Sequence, residues 1–130
     1  MIVLDASAMV EALVGAHPAS ELLDALGQEI HAPQLLDVEV ASVLRGLELG
    51  RAISAARAEQ ARSDYWTFTI QRYELEPIAD RHWQLRHQFT SYDACYLALS
   101  EALNAPLVTC DTKLASTGHR AEVVVFGGTR

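Results

Sequence analysis

Four of the seventeen acidic residues occupy positions where a solvated helix face does not account for them. Asp5 directly follows the β-forming run Ile2, Val3, Leu4, and Asp111 comes two residues after Leu107, Val108, Thr109, so both belong at the carboxyl ends of predicted strands. Glu39 lies inside or beside the apolar stripe Leu36, Val40, Val43, Leu44, Leu47, and Asp93 sits in the first turn of a helix that is apolar nearly all round, between Tyr92 and Ala94. Other acids, such as Glu21, Asp24, Glu59 and Glu101, sit beside polar residues on what read as exposed helix faces. Carboxylates crowded together repel one another and must either protonate or share a cation, and an all-oxygen donor set favours Mg2+ or Mn2+ over zinc. Taken singly, three of them have a plainer explanation: Asp5 caps a helix, Asp93 forms a capping box with Thr90, and Asp111 caps a turn. Capping does not explain Glu39, because Asp37 is already available to the same helix.

The elements that must position these groups alternate. A strand at 2–4 leads through a tight turn into a helix at 6–14 that ends at Gly15. Pro18 suits the first turn of a second helix over 19–26, and a short strand is expected near Ile30. Spacing predicts a helix from Leu36 to Gly50 with Asp37 as its cap, then a polar-faced helix over 54–68 and β-formers over 69–75. Pro77 opens a helix through His87; a helix over 90–103 stops at Asn104 and should be buried between layers. A strand at 107–109, a helical turn at 113–115 and a strand at 122–126 complete the chain. Short strands alternating with helices imply an α/β fold: a parallel sheet with right-handed crossovers, whose sites form at the strands' carboxyl ends. Helices begin where strands end, which brings Glu39 and Asp93 within reach of the rim that holds Asp5 and Asp111.

At 130 residues with no linker or repeat, the chain is expected to be one domain over 1–130. Half of it is apolar and 21% is charged, which excludes disordered and collagen-like classes. The formal charge of −7 argues against nucleic-acid binding through bulk positive charge. That charge is uneven: residues 1–44 hold seven acids and no Lys or Arg, whereas 45–86 hold six acids and seven arginines. Cys95 and Cys110 lie in apolar stretches and are read as reduced buried thiols, too few for a disulfide scaffold. No basic leader or membrane-length apolar run is present, so a cytoplasmic protein is expected.

Competing chemistries lack their motifs. There is no phosphate-binding glycine loop, no early acidic pair with a central acceptor Asp as in a phosphoacceptor receiver, and no H-E-x-x-H among His17, His31, His82, His87 and His119. An anionic substrate would require arginines near the cleft; Arg45, Arg51, Arg72, Arg81 and Arg86 are candidates, Arg86 foremost because it shortly precedes Asp93. Trp66, Tyr73, Trp83 and Phe89 are assigned to a core or subunit interface.

The segments Ile-Val-Leu-Asp-Ala-Ser-Ala at 2–8, Ala-Pro-Gln-Leu-Leu-Asp-Val-Glu-Val at 32–40, Thr-Ser-Tyr-Asp-Ala-Cys-Tyr-Leu-Ala at 90–98 and Ala-Pro-Leu-Val-Thr-Cys-Asp-Thr-Lys-Leu at 105–114 together resemble PIN-domain ribonucleases, and more narrowly VapC toxins of bacterial VapBC toxin–antitoxin pairs. The resemblance spans the chain and implies a three-layer α/β/α PIN-like domain around a parallel sheet of four or five short strands. It places the family's acidic quartet, both catalytic and metal-binding, on Asp5, Glu39, Asp93 and Asp111, with Ser7 and Thr109 as supporting hydroxyls. It further implies a Mg2+-dependent endoribonuclease, with Mn2+ able to substitute, acting as a type II toxin that inhibits translation or growth. The implied assembly is a homodimer that joins a cognate VapB-type antitoxin as a heterotetramer or larger, with the antitoxin's tail in the cleft. A PIN-like module that binds RNA or protein without cutting is the alternative.

Overall fold

The computed structural model describes residues 1–127. Strand β1 (Ile2–Leu4) is wholly buried and passes at Asp5 into α1 (Ala6–Val14). After α2 (Ser20–Ala25) the chain returns as β2 (Ile30–Pro33), then forms α3 (Leu35–Leu49), which Gly50 ends. Ser54 caps α4 (Ala55–Tyr65) by accepting the Arg57 N–H at 3.1 Å, and β3 (Ile70–Tyr73) follows. A 3-10 turn at Glu76–Ile78, α5 (Ala79–Gln84) and a second 3-10 turn at Leu85–His87 lead to α6 (Ser91–Leu103). Asn104, left-handed at φ 50°, closes α6. Strand β4 (Leu107–Thr109), a 3-10 turn at Thr112–Ala115 and β5 (Val123–Val125) complete the described fold.

The five strands form one parallel sheet in the order β3-β2-β1-β4-β5. Val3 lies opposite His31 on one side and Leu107 on the other, so β1 and β4 are central neighbours. From β1 the chain builds outward through β2 to β3, then crosses back to β4 and builds outward to β5. Right-handed crossovers put α1 to α4 on one face, where α1, α3 and α4 pack together. They put α5 and α6 on the other, where α6 lies against β1, β2 and β4. The direction of winding reverses between β1 and β4, and that reversal opens a crevice at their carboxyl ends. This is the α/β/α architecture expected from the sequence.

A continuous apolar core fills both interfaces: Leu4, Met9, Leu36 and Leu44 on one side, Leu97, Leu99 and Leu107 on the other. The all-round apolar character of α6 follows from its position, because it touches the sheet on one flank and α5 on another. Ser100 is buried there and donates its hydroxyl to the Ala105 carbonyl, which satisfies it.

Three expectations need correction. Pro18 lies ahead of α2 rather than in its first turn, since Ala19 is the cap residue. Asp37 does not cap α3: it lies within the first turn, and its carboxylate is held by Arg72 and Tyr65 instead. The helix expected over 77–87 breaks into a 3-10 turn, α5 and another 3-10 turn, because α5 buries no side chain and Leu85 alone of the last turn is buried. Without a buried stripe, propensity alone does not sustain a longer helix.

Candidate metal centre

Asp5 is placed by two competing demands of the chain. It caps α1, accepting the Ala8 N–H at 3.0 Å, and it stands at the carboxyl end of β1, only 6% exposed. Ser7 donates to its Oδ1 at 2.7 Å and Thr109 donates to its Oδ2. Each hydroxyl is held in turn by β4 and the loop after it: the Cys110 N–H donates to Ser7 Oγ at 2.9 Å, and the Asp111 N–H to Thr109 Oγ1 at 2.9 Å. Both hydroxyl protons therefore point at Asp5. Burial raises the Asp5 carboxyl above its ordinary range and the nearby Asp111 charge adds to this, while the Thr109, Ala8 and Ser7 donors hold the rise back.

The other three carboxylates come from helix starts and the β4 exit. Glu39 projects from the second turn of α3 and accepts the Tyr96 hydroxyl at 2.6 Å. Burial raises its carboxyl, and the Asp5 and Asp93 charges push it the same way. Asp93 lies in the first turn of α6, where its N–H donates to the Thr90 cap at 3.1 Å, and it is raised by burial and by Asp111, with Lys113 opposing. Asp111 caps the following 3-10 turn through the Lys113 N–H at 3.0 Å, and the Lys113 ammonium stands 3.7 Å from its Oδ2. The caps expected of Asp5 and Asp111 are thus real, Thr90 rather than Asp93 supplies the side-chain cap of α6, and none of this removes these acids from the crevice. Asp5 feels the charge of Asp111, Glu39 those of Asp5 and Asp93, and Asp93 that of Asp111, so the four lie near one another at the carboxyl edge of the sheet.

A hard divalent cation suits this donor set, which is wholly carboxylate oxygen and strained by like charge. Among the described residues no group of three or more His, Cys, Asp or Glu side chains stands close enough together to hold a metal ion. Tyr96 is the site residue that sequence reading overlooked. It is one helical turn beyond Asp93 on α6, and flanked by Cys95 and Leu97 it reads as core, which it also is at 2% exposed. Its hydroxyl is pushed up strongly by burial and by the Glu39 hydrogen bond, so it serves Glu39 as a donor only.

The arginines part company with the carboxylates. Arg72 is committed to Asp37, with its Nε 2.9 Å from Oδ2, and Arg81 to Glu101 at 2.7 Å. Arg86 donates to the Trp83 carbonyl at 2.9 Å and lies over the Trp83 ring, and it bonds none of the four acids. Of the aromatics, Phe89 is core and Tyr73 bonds His31, whereas Trp66 and Trp83 are mostly exposed. Cys95 and Cys110 form no disulfide with each other, and both are half-buried rather than buried as expected.

The PIN domain family model matches residues 2–120. Ribonuclease VapC9 of Mycobacterium tuberculosis is 40% identical over 119 residues, which cover 92% of each chain. Among solved structures, the Mycobacterium tuberculosis toxin VapC20, described as cleaving the sarcin-ricin loop, superposes with a TM-score of 0.66 at 11% identity over 92% of this chain and 97% of that one. A toxin–antitoxin complex from Klebsiella pneumoniae gives a TM-score of 0.58 at 18% identity, covering 87% and 88%. The structural likenesses carry the fold and the sequence identity carries the kinship: this chain belongs to the PIN-domain family and, within it, to the VapC ribonucleases.

Proposed function

We propose that the chain is a Mg2+-dependent endoribonuclease and the toxin of a type II toxin–antitoxin pair, with Mn2+ able to replace Mg2+. The observation that supports this most is the anchoring of Asp5, a buried carboxylate at the winding reversal of the sheet, aimed by Ser7 and Thr109 toward a crevice shared with three more acids. In this reading Asp5, Glu39 and Asp93 hold the cation and Asp111 completes the set. A cation held by these residues would supply charge neutralisation at the phosphodiester and a more acidic water.

The chain's own side chains do the positioning. Ser7 and Thr109 spend their protons on Asp5, which with the Ala8 N–H fixes the carboxylate plane and leaves one lone pair of Oδ2 for a cation. Tyr96 holds Glu39 by Oε1 and leaves Oε2 unengaged by it. Lys113, 74% exposed at the lip beside Asp111, offers its ammonium to the substrate's phosphates. VapC9 is named a ribonuclease and the Klebsiella pneumoniae neighbour is a toxin–antitoxin complex; both names favour RNA as substrate and an antitoxin as partner for this chain. A cytoplasmic homodimer of single-domain chains, bound by a VapB-type antitoxin whose tail covers the crevice, completes the proposal. Among the described residues no helix is long and apolar enough to cross a membrane.

Induced expression without antitoxin tests this reading. Growth should stop with wild type and continue with Asp93→Asn at equal protein level, and RNA from the arrested cells should carry new ends at discrete positions. Normal growth and intact RNA with abundant folded wild type would contradict it.

A further inference from the structure

A cavity lies beside the starts of the two helices that carry Glu39 and Asp93. It has a volume of about 440 Å3 and lies between the start of α3, the loop after β3 and the start of α6. No Asp, Glu, Lys or Arg lines it, although the chain carries a charge of −7. Leu35 stands one helical turn before Glu39 on α3, and Tyr92 and Cys95 flank Asp93 on α6. Residues beside Glu39 and Asp93 therefore line the cavity, and the Cys95 thiol among them feels the Glu39 charge.

Its chemistry is that of a flat, uncharged ligand with a polar edge. Leu35, Leu75 and the Tyr92 ring form apolar walls, and Tyr92 is 60% exposed, with its ring free to stack. The Gln34 amide and the Ser91 hydroxyl also line the cavity, and neither side chain hydrogen-bonds another described residue. A phosphate would find no Lys or Arg there, the one imidazole, His82, giving its Nε2 to the Ser91 carbonyl, and the Tyr92 ring offers a stacking face beside the exposed amide and hydroxyl. An unstacked nucleobase satisfies all three conditions, since RNA is read through bases splayed onto aromatic rings with their edges hydrogen-bonded.

We propose that this cavity receives the base of a nucleotide adjoining the phosphodiester that is cut, with Tyr92 stacking on it and Gln34 and Ser91 selecting its edge. The proposal rests on the ribonuclease reading and names where that enzyme takes its sequence preference.

The test separates base binding from cleavage. The full chain, 15N-labelled, is titrated with each of the four ribonucleosides, which carry no phosphate and need no metal. Preferred nucleosides should shift backbone amides at 34–35 and 91–95; Tyr92→Ala should weaken binding about tenfold, Tyr92→Phe should preserve it, and Gln34→Ala should reorder the preference among bases. With Mg2+ and a single-stranded RNA, Tyr92→Ala should raise KM about tenfold with kcat little changed. Nucleosides that shift no cavity resonance, or that bind Tyr92→Ala as well as wild type, would overturn the proposal. Cavity resonances that move with protein concentration alone would also overturn it, since the occupant would then be a second copy. Selective nucleoside binding by a wild type that cuts no RNA would overturn the ribonuclease reading and retain a base-binding cavity.

Discussion

Asp5 shows how a carboxylate can cap a helix and still be offered to the proposed cation. Capping uses one lone pair of Oδ1, and the two hydroxyls fix the plane of the rest. Replacing Ser7 with Ala and Thr109 with Val removes both hydroxyl donors, so the Asp5 carboxyl should rise further and Mn2+ affinity should fall about tenfold or more, read by calorimetric titration. Asp93→Asn works in the opposite direction on stability. It deletes a half-buried charge that Asp111 repels, so in EDTA its melting temperature should exceed wild type by a few degrees while cleavage is lost. Equal melting temperatures would show that the four acids carry no strain. These acids were legible because strand ends and helix starts are legible, and each stands at one. Tyr96 was not, because a tyrosine between Cys95 and Leu97 reads as packing until Glu39, 57 residues away in sequence, is placed against it.

Arg72 illustrates what an element does to a residue that sequence offers to the substrate. Strand β3 pairs Arg72 with Ala32 of β2, and from there its guanidinium reaches Asp37 in the first turn of α3, which Tyr65 of α4 also touches. The cluster ties a strand to two helices, and Asp37 is held below the usual carboxylate range chiefly by the Arg72 hydrogen bond, against burial. Arg72→Ala should therefore cost about 1–3 kcal/mol in denaturant unfolding and leave KM for RNA unchanged; a raised KM with native stability would return Arg72 to the substrate. Helix α6 packs against the sheet and α5 together. Leu97 is fully buried there, and Leu97→Ala should cost about 2–5 kcal/mol. The long elements were readable from their apolar period, as α3 and α6 show. The stretch over 77–87 was not, because its residues satisfy helical propensity while tertiary packing buries only Leu85.

An acidic protein that must hold a polyanion concentrates its contradiction in one crevice. Asp5, Glu39 and Asp93 bind protons more tightly folded than unfolded, so the stability they contribute is complete below ordinary carboxylate values and is lost as pH rises through their elevated folded values. Asp37 and Glu101 are lowered, so theirs is present above ordinary values and lost only as pH falls through the depressed ones. Metal-free protein should accordingly lose melting temperature as pH climbs from about 5 to neutrality, and the gain on adding Mn2+ should grow over the same range. A gain independent of pH would place the cation elsewhere. The sheet order was only partly legible: alternation of strands and helices implied parallel pairing, whereas the reversal between β1 and β4 depends on which face each crossover takes. The measurement that bears most directly on the whole account is cleavage of total cellular RNA by purified, antitoxin-free protein in Mg2+, in Mn2+ and in EDTA, beside Asp5→Asn and Asp93→Asn. The account predicts discrete fragments in either metal, and none in EDTA or with either variant. Fragments that persist in EDTA or with both variants would contradict it, as would intact RNA beside a folded wild type that binds no divalent cation.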